Sequence, residues 1–78
     1  MSDVRHLHAI AAEIKSEWGA KMSPHAAPYV DAMGELESIT DKYLYEDGKG
    51  IVRYFLANAG TWRGDAARRI KAELKGML

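Results

Sequence analysis

His6, His8 and His25 are the only imidazoles in the chain, which has no cysteine. Metal binding or general-base catalysis needs such groups to converge. Residues two apart on a helix lie about 200° apart around its axis, so a helical His6–His8 pair cannot share one ion. His8 falls beside an apolar stripe and His6 on the solvent side. Glu13 and Glu17 form an i, i+4 carboxylate pair, but no Glu-x-x-His partner accompanies them, and they read as a solvated face. Asp47-Gly48 suggests a calcium loop, yet Tyr43 and Tyr45 stand where oxygen ligands are required, and the bidentate acid is missing. Gly48-Lys49-Gly50 lacks the rest of any nucleotide-binding fingerprint, and no GxSxG, HExxH or phosphate-loop pattern occurs. Arg63-Gly64-Asp65 spells an integrin-binding tripeptide, which functions from a flexible extracellular loop; here it reads as the first turn of a helix. No catalytic, cofactor-binding or metal-binding residue is assigned, and the chain reads as a non-enzyme without a cofactor.

Recognition chemistry remains. Arg68, Lys71 and Lys75 recur at spacings of three and four, so on a helix they form one exposed stripe with Arg63 and Arg69 near its edges. A helix with this pattern can contact phosphates. The zero net charge, the flanking Glu73 and the lack of helix-turn-helix grammar instead favour a solvated or protein-contacting face. Trp62, beside Arg63, is the leading exposed anchor, because Trp, Tyr and Arg dominate binding energy at interfaces. The preferred reading of the same residue is a staple that fixes the turn between the third and fourth helices. The candidate partner-binding residues are therefore Trp62, Arg63, Arg68, Arg69, Lys71 and Lys75.

Helices must position these side chains. Ser2 or Asp3 can cap a first helix running to about Trp18, whose stripe is Val4, Leu7, Ala11, Ile14 and Trp18. Gly19 supplies a left-handed stop. A connector with a short turn at 24–27 follows, because Pro28 is tolerated only near a helix start. The second helix begins near Pro28, buries Tyr29, Met33, Leu36, Ile39 and Tyr43, and ends between Thr40 and Tyr45. Gly34 inside it suggests close approach of another backbone. Residues 46–50 read as a turn. Asp-Gly is also a hairpin signal, but a strand at 51–57 would have no alternating partner upstream, so a buried third helix over 49–59 is preferred. Its polar stripe is Lys49 and Arg53. Gly60 ends that helix, and Thr61 caps a fourth that buries Ala66, Ala67, Ile70, Leu74 and Met77 and pairs Asp65 with Arg69.

The 78 residues suffice for one helical domain, 1–78, all-α with three to four short helices. A chain this short buries only about 60–65% of its unfolded surface, so apolar packing must hold it, and self-association can extend that packing. Residues 31–47 carry six acids against Lys42, and residues 48–78 carry seven bases against two acids. Such asymmetry bears on partner choice and orientation, although mutual neutralisation within the monomer or a dimer is the preferred reading, since polar helix faces are charged by default. It also suggests a homo-oligomer in which an acidic second helix meets a basic fourth. No apolar run is long enough for a membrane span. Asp3, Arg5 and His6 are wrong for a secretory signal, so an intracellular location without membrane association is expected.

The segments Ala9-Ile10-Ala11-Ala12-Glu13-Ile14, Pro28-Tyr29 with Ala32-Met33, Ile51-Val52-Arg53-Tyr54-Phe55-Leu56, Thr61-Trp62-Arg63-Gly64 and 67–75 carry a resemblance. In them the chain resembles small proteins of actinobacteriophages, mycobacteriophages among them. The resemblance spans most of the chain and transfers no catalytic residue. It implies phage origin and action in the cytoplasm of a bacterial host. The expected function is a phage accessory protein that binds a host or phage protein and can inhibit host physiology. Nucleic-acid binding by the basic C-terminal helix is the alternative.

Overall fold

The computed structural model describes residues 5–43 and 46–78. The proposed Ser2 or Asp3 cap, the Val4 position in the first stripe and the role of Tyr45 lie outside them. The chain is mostly helical: α1 (Leu7–Trp18), α2 (Ala27–Met33), α3 (Gly48–Ala57) and α4 (Asp65–Lys75), with a two-stranded antiparallel hairpin between α2 and α3. That hairpin corrects the all-α expectation.

In α1, Leu7, Ile10, Ala11, Ile14 and Trp18 face the core. His6 precedes it in an extended conformation and offers no side-chain cap. The first amides are satisfied from elsewhere: Leu7 N donates to the Glu37 carbonyl and His8 N to the Leu36 carbonyl, both at 2.9 Å. Such tertiary capping leaves no local sequence signal. Gly19, at φ 58, stops the helix as expected, and a short 3₁₀ turn over Gly19–Lys21 follows.

Ser23 shapes the turn before α2: its carbonyl accepts Ala26 N and Ala27 N, and its hydroxyl accepts His25 N. Pro28 then lies in the first turn of α2, where no ladder donor is needed. The helix stops at Met33, well short of the expected 40–45, and Gly34 is its C-cap. Beyond it, the Asp41 carboxylate accepts Glu37 N at 3.1 Å and Ser38 N at 3.0 Å, locking residues 37–41 into a loop. Side-chain acceptors of this kind compete directly with helical hydrogen bonding. The acids of 31–47 therefore lie mostly on this loop and the hairpin, not on a helix.

Strands β1 (Lys42–Tyr43) and β2 (Glu46–Asp47) pair Lys42 with Asp47 and Tyr43 with Glu46. Residues 46–50 are thus a strand leading into a helix, not a free turn. Asp47 caps α3, its Oδ1 accepting Gly50 N at 2.8 Å. The close backbone approach expected at Gly34 occurs at Gly48 instead. A Cβ there would stand 2.6 Å from the Ile39 carbonyl oxygen, and Gly48 N donates to the Asp41 carbonyl at 2.7 Å.

Helix α3 is helical rather than extended, as preferred from sequence, and buries Ile51, Val52 and Phe55. It ends at Ala57, ahead of Gly60. Thr61 caps nothing: α4 begins only at Asp65, with Gly64 as its N-cap at φ 109. Arg63-Gly64-Asp65 therefore straddles the helix start instead of filling its first turn. Tertiary packing displaces that boundary, because Ala59 and Trp62 both enter the core and hold residues 58–64 as a turn. Ala67, Ile70 and Leu74 complete the core from α4.

Candidate partner-binding site

The six residues proposed from sequence divide into three groups. Trp62 is only 5% exposed. Its ring stacks on Trp18 with centroids 5.3 Å apart and meets Phe55 edge-on at 6.5 Å. It is the staple preferred from sequence, holding the turn between α3 and α4 in the core, and so leaves the set of candidate partner-binding residues.

Arg69 belongs to an ion-pair network. It contacts Oε2 of Glu13, while Arg5 Nη1 lies 2.7 Å from Oε1 of the same carboxylate. Arg5 also forms a forked contact with Glu73, Nη2 to Oε1 at 2.6 Å and Nε to Oε2 at 2.9 Å. The expected Asp65–Arg69 pair is not formed; Asp65 lies 3.7 Å from Arg68, with both side chains exposed. Glu13, read as solvated, is instead the centre of the network. Hydrogen bonds from Arg69 and then Arg5 hold its carboxyl below the usual range, and Arg5 does the same for Glu73. The guanidinium of Arg5 is pushed up in return, first by Glu73 and then by Glu13. The network ties the segment before α1 to α1 and α4. Sequence alone gave only like-charged or oppositely charged residues far apart in number.

Arg63, Arg68, Lys71 and Lys75 remain. Among the described residues no carboxylate forms an ion pair with Arg63, Lys71 or Lys75. Lys71 Nζ donates to the Trp62 carbonyl at 2.6 Å. Burial, then the neighbouring charges of Lys75 and Arg63, hold its ammonium below the ordinary lysine range. Arg63, Arg68 and Lys71 border a cleft of about 390 Å³ with Gly60 and Gly64.

A second surface lies between α2, the hairpin and α3. Pro28, Tyr29, Tyr43, Glu46, Ile51 and Tyr54 line a groove of about 320 Å³. The Tyr29 and Tyr54 rings stack with centroids 5.5 Å apart. Tyr43 is 37% and Tyr54 49% exposed, which leaves large aromatic faces open to solvent. Glu46 has no cationic partner among the described residues. Sequence reasoning missed this groove because it threaded Tyr29 and Tyr43 along one buried helical stripe. The available signal was Tyr54, which lies next to Arg53 on the polar border of α3.

His6 and His8 also differ from expectation. Because His6 precedes the helix, the two exposed rings stack at 5.2 Å with planes 7° apart. Among the described residues no group of three His, Asp or Glu could hold a metal ion, and no helix is long and apolar enough to cross a membrane.

Fold and surfaces together define a small, mostly helical domain with one aromatic groove and one basic cleft. Comparison with family models, curated proteins and solved structures gives no match.

Proposed function

We propose that this chain is a non-enzymatic accessory protein of phage type. It acts in the host cytoplasm by binding a host or phage protein through the tyrosine groove, and the binding redirects or inhibits host physiology. The observation that carries this reading is the exposure of Tyr43 and Tyr54 beside the half-buried Tyr29, since Tyr is enriched where partners anchor and costs little side-chain entropy to order. The occupant is a segment of the partner presenting a Lys or Arg side chain. Tyrosine faces attract such cations, Glu46 supplies at the rim a carboxylate with no cationic partner among the described residues, and the surrounding 31–47 region is strongly acidic.

A photo-crosslinking amino acid in place of Tyr54 tests the reading in host cells. The expected result is a crosslink to one protein at a Lys- or Arg-bearing peptide, abolished by Tyr43→Ser. A crosslink to a second copy of this chain would make the groove a self-association surface instead. Crosslinking only from positions 63 or 75 would count against the groove.

The alternative is nucleic-acid binding by Arg63, Arg68, Lys71 and Lys75, favoured because among the described residues only Arg68 approaches an acid, the exposed Asp65 at 3.7 Å. A gel-shift titration at two salt concentrations separates it, because phosphate-backbone binding weakens steeply as salt rises.

A further inference from the structure

The sequence places five cations along and before α4, but folding treats them differently. Arg69 is turned toward α1 and neutralised by Glu13. Arg63, Arg68 and Lys71 surround the cleft between the 58–64 turn and α4. Among the described residues their only acidic contact is the exposed 3.7 Å approach of Asp65 to Arg68. We infer that this cleft is a phosphate-binding site, in which Lys71 and Arg63 are the principal ligands and Arg68 closes the outer edge.

Three features support the assignment. The first is space: the cleft holds about 390 Å³, within the range of about 300–1,000 Å³ typical of small-ligand pockets. The space beside Gly60 and Gly64 is open, since a Cβ added at either would meet no atom within 4 Å.

Placement is the second. The 2.6 Å bond from Lys71 Nζ to the Trp62 carbonyl fixes an otherwise mobile ammonium at the cleft wall. An ammonium has three donors, so two remain for a ligand. The carbonyl belongs to a residue stapled into the core by Trp18 and Phe55, which makes the anchor rigid.

The third is unbalanced charge. Lys71 is held below its ordinary range first by burial and then by repulsion from Lys75 and Arg63, and among the described residues no acid pairs with any of the three. A phosphate dianion relieves that repulsion and accepts from both Lys71 and the fork of Arg63. A neutral or cationic ligand would relieve none of it.

The phosphate can come from a free small molecule or from a nucleic-acid backbone. Amide chemical-shift titrations at low ionic strength with pyrophosphate, and separately with a short single-stranded oligonucleotide, distinguish these sources. The expected result is a shift focused on Gly60, Arg63, Gly64, Ala67 and Lys71. Lys71→Met and Arg63→Ala should each weaken binding about tenfold, the effect expected for loss of one charge-assisted hydrogen bond. Arg63 is exposed, so its substitution leaves the core intact even if Lys71→Met loosens the turn. Lys49→Ala, on the polar face of α3, should change nothing. Tighter binding of the oligonucleotide at these same residues identifies a polymer backbone; equal or tighter binding of pyrophosphate identifies a small ligand. No focused shift with either probe, or shifts that survive both Lys71→Met and Arg63→Ala, would overturn the site. The assay is silent on the tyrosine groove, so its failure leaves the protein-binding proposal to its own crosslinking test.

Discussion

Replacing Trp62 by alanine separates a structural anchor from a recognition residue. The indole is 5% exposed, lies nearly parallel to Trp18 (10° between planes) and edge-on to Phe55 (70°). Core Trp→Ala changes cost about 3–5 kcal/mol, including an aromatic-pair contribution of about 0.5–1.5 kcal/mol per partner. The indole sits at the end of the core, under an exposed turn that can partly collapse into the gap. The lower end of that range, about 3 kcal/mol, therefore applies. A domain of this size has roughly 4–12 kcal/mol in total, so the loss is a large fraction of its stability. The melting temperature should fall by roughly 12–24 °C. Urea unfolding followed by far-ultraviolet circular dichroism measures the change, and Trp62→Phe should lose much less because a ring stays on Trp18. A Trp62→Ala protein within about 0.5 kcal/mol of wild type, the usual range for a surface change, would refute the staple and return Trp62 to the partner surface.

Other perturbations test the remaining architecture. Gly48→Ala places a methyl against the Ile39 backbone, 2.6 Å from its oxygen and 2.9 Å from its carbonyl carbon. Overpacking of about 1–3 kcal/mol exceeds the helix-propensity gain of at most about 1 kcal/mol, so stability should fall. The nearest atoms to a Cβ at Gly50 belong to the Glu46 side chain, which must swing aside, so Gly50→Ala should cost less than Gly48→Ala; urea midpoints in the reverse order would contradict this packing. Arg69 and Arg5 depress Glu13, and Arg5 depresses Glu73, in the folded state. Their stabilisation is therefore complete above the unfolded glutamate value of about 4.3 and is lost as pH falls through the lower folded values. Unfolding midpoints at neutral and acid pH should show a smaller acid loss in a Glu13→Gln, Glu73→Gln double variant than in wild type; an unchanged loss would mean the network does not carry it.

Local rules carried much of the architecture. Helix α1 was readable from its apolar stripe and its glycine stop, and the helical rather than extended state of 51–57 followed from the absence of an upstream strand partner. Pro28 correctly marked the start of α2. Errors arose where distant or side-chain acceptors replaced the helical ladder. Asp41 captures the amides of Glu37 and Ser38, so a periodic apolar pattern from Leu36 to Tyr43 becomes loop and hairpin. That change turns Tyr43 outward and brings it beside Tyr29 and Tyr54, which creates the groove.

By itself, the sequence determined a small, mostly helical chain whose opposite charges are segregated and whose C-terminal helix bears a basic stripe. Those properties depend on composition and on the 3.6-residue period, which act within a few neighbours. Tertiary structure alone decided which cations stay unpaired. Arg69 meets Glu13 across 56 positions of chain, whereas Arg63 and Lys71 meet no acid among the described residues. It also decided which rings Trp62 packs against in the core, Trp18 and Phe55. Ion pairing and ring packing depend on distances between helices, and the spacing of residues along one helix contains no record of those distances.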